Sequence, residues 1–247
     1  YFIIVSRKMT LLMKILVLVK LVWMKLYYWF FDNNALREDS EVIRSVLCIG
    51  DGFIEGFGDK FAIGLSSGLC NRMNHLFKQE RKLRMEWQFI NGGQYGSTTE
   101  DWLPIEAYSN YCRIVERYPQ VQVVFIMLGS SDRLKGIDAK QTIENLKELV
   151  YTLNCNGKIV FVSTIPEYTV QSSDGTKQCN FDINRLIREF IEQESSKNIL
   201  LGPECDTPIF QDKSLYCFDK IHFNSEGYKL FAKAWKEVAT NKLLEIE

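Results

Sequence analysis

The chain has 247 residues, enough for one α/β domain with a substantial core, and its 46% hydrophobic and 25% charged content is that of a globular protein. Lys+Arg 30 against Asp+Glu 31 leaves a formal charge of −1, which provides no basic excess for nucleic acid and no acidic solvating tail. The seven cysteines are scattered, odd in number and include no C-x-x-C pair, so they read as reduced, mostly buried thiols rather than a disulfide framework or a zinc site.

Residues 10–31 are strongly apolar and about as long as one membrane span, but Lys14, Lys20 and Lys25 interrupt them. A lysine near mid-span costs roughly 2.5–3.5 kcal/mol on insertion scales, which a stretch so rich in Leu, Val and aromatics can offset. No small-residue cleavage site follows, which argues against a removable signal peptide. Two readings stay open, an uncleaved membrane anchor and a packed or stray helix, and with them a cytoplasmic or a membrane-anchored location. The polar stretch Asp32–Glu41 ends the segment. The expected organisation is therefore residues 1–41 as N-terminal segment and linker, and residues 42–247 as the folded domain.

From there strands and helices alternate. Ser45–Gly50 reads as a buried parallel strand that leaves through a glycine-rich turn. Residues 60–80 carry Phe61, Leu65, Leu69, Met73 and Leu76 at helical spacings. Glu86–Asn91 is a second strand, and a helix follows through Ala107, Tyr111 and Val115 to about Pro119. Val121–Leu128, β-branched and free of charge, is the clearest strand. Residues 139–154 predict a helix, Lys158–Ser163 a strand stopped by Pro166, residues 181–195 a helix, Asn198–Leu201 a short fifth strand, and residues 225–243 the last helix. Five strands alternating with helices imply a three-layer α/β/α sandwich around a five-stranded parallel sheet.

Ligands of an open parallel sheet bind beyond the carboxyl ends of its strands. Gly50-Asp51-Gly52, Asn91-Gly-Gly-Gln-Tyr-Gly96 and Gly129-Ser-Ser-Asp132 each follow a strand, so all three converge on that edge. With Asp219-Lys-Ile-His222 further along, they resemble the four sequence blocks of the SGNH (GDSL-type) hydrolases, and the resemblance spans about residues 45–240. It implies the flavodoxin-like SGNH fold and cleavage of carboxylic esters by a Ser-His-Asp triad, without cofactor or metal. By this resemblance position 52 carries the nucleophile, His222 is the general base and Asp219 orients it. The oxyanion is held by the N–H groups at Gly52 and Gly96 and by the side chain at position 131. A serine hydroxyl is a weak nucleophile until a base takes its proton, and preorganised donors stabilise the charge that develops on the carbonyl oxygen.

Two positions depart from the family pattern: Gly52 stands at the serine and Ser131 at the asparagine. Ser66 and Ser67 fall inside the predicted first helix, so no neighbouring serine replaces the missing one. Asp51 and Asp132 read either as supports behind the reacting groups or as simple turn closures. The expectation is an esterase-like domain with impaired catalysis that takes a small acyl or glycosyl ester and no nucleic acid. The alternatives are a weak hydrolase in which Asp219 and His222 activate water, and a non-catalytic binding module.

Other classes fit less well. A dinucleotide turn beginning at Gly50 fails at Glu55, no P-loop is present, and two histidines without an H-x-x-x-H spacing disfavour a metal hydrolase. His75 reads as a surface residue and Trp102 as a core or helix-entry residue. Nothing in the sequence sets an oligomeric state.

Overall fold

A computed structural model describes residues 43–59, 68–105, 107–167, 170–171, 177–178 and 180–247, together with Ile15, Val19, Val22 and Trp23. The chain divides into two compact units, Tyr1–Ser40 and Glu41–Glu247. In the first, those four residues are helical and exposed, and the remainder of the 10–31 anchor expectation lies outside the described residues. Among the described residues no helix is long and apolar enough to cross a membrane.

The second unit holds the five strands that the apolar runs foretell: β1 (Ile43–Gly50), β2 (Glu86–Gly93), β3 (Val123–Met127), β4 (Ile159–Val162) and, last in the chain, β7 (Ile199–Leu201). They form one sheet in the order β2-β1-β3-β4-β7, and every pairing is parallel. The helices are α1 (Gly52–Glu55), α2 (Leu69–Lys78), α3 (Asn110–Ile114), α4 (Ala139–Cys155), α5 (Phe181–Gln193) and α6 (Ser225–Glu245). The α2 and α6 helices pack together on one face of the sheet, and α4 and α5 on the other.

Side chains of a strand alternate between faces, and the register carries that alternation across the sheet. Val46 pairs with Val123 and Cys48 with Phe125, so these four point to one face, where they form a core with Leu69 and Met73 of α2 and Phe231, Trp235 and Leu243 of α6. The indole of Trp235 stacks on Phe125 at 4.2 Å between centroids and 7° between planes. Gly50 pairs with both Gly93 and Met127, so the first three strands end level and their exit turns share one edge. A Cβ on Gly50, at φ 153°, would lie 2.0 Å from the Met127 carbonyl oxygen, so glycine is required where β1 crosses its neighbour.

Helix boundaries depart from the expectations more than strands do. The first amphipathic helix is α2, which begins at Leu69, while residues 60–67, with Ser66 and Ser67, lie outside the described residues. Asp59 and Gly68 bracket that stretch and are held together: the buried Asp59 carboxylate accepts the Gly68 N–H at 2.6 Å and both guanidinium donors of Arg72 at 2.7 Å, and Arg72 reaches the Ser225 hydroxyl at 2.7 Å. The helix expected to run to Pro119 is α3 followed by a 3₁₀ turn, Val115–Arg117. The four-residue α1 and a two-stranded ribbon, β5 (Val170–Gln171) with β6 (Lys177–Gln178), were not foreseen, because elements this short show no periodicity. Six cysteines are free thiols, of which Cys48, Cys70 and Cys205 are buried; Cys179 lies outside the described residues.

Trp235 is wholly buried, so Trp235→Ala is expected to cost about 3–5 kcal/mol, read as a lowered urea midpoint. An unchanged midpoint would show that the stack on Phe125 does not carry this layer.

Candidate active site

The site begins where β1 stops. Asp51, with no exposed surface, accepts the Phe53 N–H at 3.1 Å as the cap of α1, and also the Ser130 N–H at 3.2 Å and the Ser130 hydroxyl. One carboxylate thus ties the turn after β1 to the turn after β3. Burial pushes its pKa up, against the lowering effect of the Ser130 and Phe53 donors and the His222 charge. Gly52 opens α1: its carbonyl accepts the N–H groups of Gly56 at 3.1 Å and Phe57 at 3.0 Å and the Tyr228 hydroxyl at 3.3 Å, while its own N–H has no acceptor among the described residues.

The turn after β2 closes over this point. Gln94 donates its N–H to the Gly50 carbonyl at 2.9 Å, and the Glu55 carboxylate accepts the Tyr95 N–H at 2.6 Å. Gly96 takes φ 73°, a left-handed conformation that glycine adopts without strain, and its N–H has no acceptor among the described residues. Trp102, fully buried in a 3₁₀ turn, donates its indole N–H to Ser97 at 3.0 Å, the core role expected of it.

After β3, Ser131 is buried and its hydroxyl has no hydrogen-bond partner among the described residues. The next residue, Asp132, is fully buried and accepts the Thr99 N–H at 3.0 Å, the Thr99 hydroxyl, and the Thr142 hydroxyl at 3.1 Å; Asn145 in turn donates to Thr99 Oγ1 at 3.0 Å. Burial pushes the Asp132 carboxyl up to about 6, with the Thr99 and Thr142 donors opposing and the Asp51 charge adding to the rise. Asp51 therefore joins the first and third turns, and Asp132 joins the third to the second.

The last component is a loop closed by the Tyr216–Phe223 bridge and by the Cys217 N–H donating to the His222 carbonyl at 2.8 Å. Lys220 turns this loop at φ 59°. Asp219 fills its interior: Oδ1 accepts from the His222 N–H at 2.9 Å, the Ile221 N–H at 2.9 Å and the Cys217 thiol at 3.0 Å, leaving Oδ2 for His222 Nδ1 at 2.7 Å. Burial works to raise the Asp219 pKa, but the charge and hydrogen bond of His222, with the Cys217 and Ile221 donors, hold it well below the usual carboxylate range. A carboxylate can only accept, so the Nδ1 position carries the imidazole proton and Nε2 is the free nitrogen of the neutral ring.

That nitrogen points at Gly52. A Cβ built at position 52 would lie 2.4 Å from His222 Nε2 and 3.0 Å from Tyr95 Cδ2, well inside normal contact. Among the described residues Nε2 has no hydrogen-bond partner, and the side chain is 10% exposed. The ring is enclosed by Phe53 at 5.0 Å, Phe57 at 4.9 Å and Tyr95 at 5.6 Å between centroids. The imidazole occupies volume into which a side chain at position 52 would project.

Of the residues singled out from the sequence, His222 faces Gly52, Asp219 holds the far side of the His222 ring, Gly96 follows Tyr95, whose ring packs on His222, and Asp51 and Asp132 tie the turns together. Ser131 follows the residue bonded to Asp51. His75 is exposed on α2 and its ring is hydrogen-bonded to Gln79 at 2.9 Å. The sequence reading missed Phe53, Phe57, Cys217, Thr99 and Asn145; of the ring's neighbours only Tyr95 lies inside a recognisable motif. Among the described residues no group of three His, Cys, Asp or Glu side chains is placed to hold a metal ion.

The sequence profile of the GDSL-like lipase/acylhydrolase family matches residues 48–230. No curated protein sequence matches the chain. Among solved structures, the esterase EstA from Pseudoalteromonas sp., in a form inhibited by monoethylphosphonate, superposes with a TM-score of 0.59 at 16% identity, over 81% of this chain and 98% of its own. The lipase/acylhydrolase from Enterococcus faecalis gives 0.60 at 19% identity, over 81% and 96%. The Clostridium thermocellum family 3 carbohydrate esterase gives 0.61 at 18% identity, over 83% and 98%. At these identities the likeness is one of fold.

The two kinds of carboxylate respond oppositely to pH. Asp132 binds its proton more tightly folded than unfolded, so its contribution favours the folded state at low pH and is lost as pH rises from about 4 through about 6, by about 3 kcal/mol. Asp219 is shifted the other way, so its contribution is complete above about pH 4 and declines only in stronger acid. Asp132→Asn is expected to flatten the fall in unfolding free energy between about pH 4 and 6, measured by urea titration at each pH. A fall as steep as in the wild type would contradict this assignment.

Proposed function

Since the chain belongs to the GDSL-like lipase/acylhydrolase family, we propose that it is an esterase-like domain whose serine-dependent catalysis is impaired and whose pocket receives a small acyl or glycosyl ester. The observation that carries this reading is the 2.4 Å separation between the missing Cβ of Gly52 and His222 Nε2. The hydroxyl is absent, and the imidazole that would activate it stands in its place. Acyl-enzyme formation at position 52 has no atom to proceed through. In another serine hydrolase, removal of the nucleophile costs about 10⁶ in turnover. Replacement of an oxyanion-hole amide by the shorter Ser131 hydroxyl weakens a donor of a kind typically worth about 10²–10³.

The surrounding apparatus supports ligand recognition. The N–H groups of Gly52 and Gly96 and the Ser131 hydroxyl are unpartnered donors at one sheet edge, and Asp51 and Asp132 fix the turns that present them. A carbonyl oxygen or a sugar hydroxyl finds donors there. Direct activation of water by Asp219 and His222 is a second reading, favoured by the open Nε2. It lacks the positioning that a tethered hydroxyl gains from its backbone, and is therefore expected to be slow.

Restoring the serine tests the reading. Position 52 has no left-handed φ, so Gly52→Ser suits the backbone, but the new Cβ requires the imidazole to withdraw between Phe53, Phe57 and Tyr95. Gly52→Ser is expected to give small but measurable esterase activity on short aryl esters, and Ser131→Asn added to it a further gain of up to about 10²-fold. Wild type should remain unlabelled by a serine-directed phosphonate, with labelling appearing in Gly52→Ser. Labelling of the wild type, or a folded double variant no faster than wild type, would contradict the proposal.

A further inference from the structure

We propose that His222 is itself an acyl acceptor: Nε2 attacks the carbonyl carbon of an activated acyl donor, an aryl ester or a thioester, and is transiently acylated. The inference rests on the reading of the pocket as a serine-free acyl site, and adds to it a nucleophile and a substrate class.

Position is the first argument. Nε2 occupies the volume into which a serine side chain at position 52 would project, 2.4 Å from the place of its Cβ. A carbonyl carbon presented to that volume meets the nitrogen instead of a hydroxyl. The N–H groups of Gly52 and Gly96 remain unpartnered to receive the carbonyl oxygen, so the electrophile is oriented by the same donors that would serve an attack by serine.

The second argument is the state of the ring. Asp219 Oδ2 takes the Nδ1 proton at 2.7 Å, which leaves the Nε2 electron pair free, and no protein group hydrogen-bonds to it. Aromatic rings on three sides strip most water from the imidazole, so its lone pair is less solvated than that of a surface histidine. His75, exposed and hydrogen-bonded to Gln79, has neither feature.

The leaving group follows from the electron count. Nε2 forms a bond to the acyl carbon, and the carbonyl pair moves to oxygen. Collapse expels the leaving group with the bonding pair, while the positive charge on the ring is met by the Asp219 carboxylate across Nδ1–H. In the serine mechanism the imidazolium would protonate the departing oxygen, but here that nitrogen is the one acylated. The leaving group must therefore depart unprotonated, as an aryloxide or thiolate does and an alkoxide does not. Water then adds to the acyl-imidazole, the C–N bond breaks, and carboxylic acid and free imidazole return; one ester and one water yield one acid and one phenol or thiol.

The test uses the full chain with 4-nitrophenyl acetate, rapid acid quench and mass spectrometry, with ethyl acetate as the unactivated comparison. Expected are an initial release of 4-nitrophenolate approaching one equivalent, an acetyl group on the peptide that carries His222, and no hydrolysis of ethyl acetate. His222→Ala should abolish both signals. Gly52→Ala fits the backbone but displaces the imidazole, and should reduce them by about 10²-fold, the usual cost of an ångström-scale misplacement. Steady release without acetyl-His222, no release at all, or a Gly52→Ala variant as reactive as wild type would each overturn the inference. Such a failure leaves the serine-free reading of the pocket intact, whereas phosphonate labelling of a wild-type serine would remove both.

Discussion

Two carboxylates without exposed surface, Asp51 and Asp132, hold the ends of three strands in register with one another. Asp51 caps α1 and binds both the backbone and the hydroxyl of Ser130, and Asp132 binds the backbone and hydroxyl of Thr99. The Gln94 N–H on the Gly50 carbonyl and the Tyr95 N–H on the Glu55 carboxylate add ties between the first and second turns. A buried charge is costly unless its oxygens are satisfied, so each carboxylate selects the one arrangement of turns that brings its donors together. The raised proton affinity of both groups is the electrostatic consequence. Such polar bracing preorganises donors at the sheet edge, and it does so whether or not a nucleophile is present.

The Asp219–His222 pair has a double dependence of the same kind. Besides orienting the imidazole, Asp219 accepts two backbone N–H groups and the Cys217 thiol, and so closes the loop between Tyr216 and Phe223. The loop then feeds directly into α6 through Asn224, whose side chain caps that helix at Glu226 and Gly227. These Asp219 bonds give the pair a structural role in the loop that is independent of any catalysis. Its chemistry has to be argued from the free face of the imidazole, and that face points into the space left by Gly52.

The sheet was legible because most of its strands carry short apolar runs, and Val123–Met127 is buried at every position, whereas Glu86–Gly93 mixes polar and apolar residues. The convergence of the three turns was legible from strand order, since a parallel sheet puts all its carboxyl ends on one edge. Register was not, and it is register, Gly50 against both Gly93 and Met127, that makes the turns level. Of the helix expected over 60–80, the described part is α2, Leu69–Lys78, which starts after Gly68; residues 60–67 lie outside the described residues. Phe53, Phe57 and Cys217 reach the imidazole by tertiary packing and by a tight loop, for which a single sequence carries no periodic signal. The approach of Nε2 to Gly52 likewise depends on the absence of an atom, and becomes visible only when the neighbouring ring is placed.

The central claim is that Asp219 fixes the imidazole of His222 with its free nitrogen facing Gly52. Because the chain has only two histidines, nitrogen-15 labelling of their rings resolves them directly. At a pH where the ring is neutral, the account predicts for His222 a slowly exchanging Nδ1 proton, an unprotonated Nε2, and a change at Nε2 on Gly52→Ala that His75 does not share. A protonated Nε2, or a rapidly averaging tautomer mixture unaffected by Gly52→Ala, would contradict it.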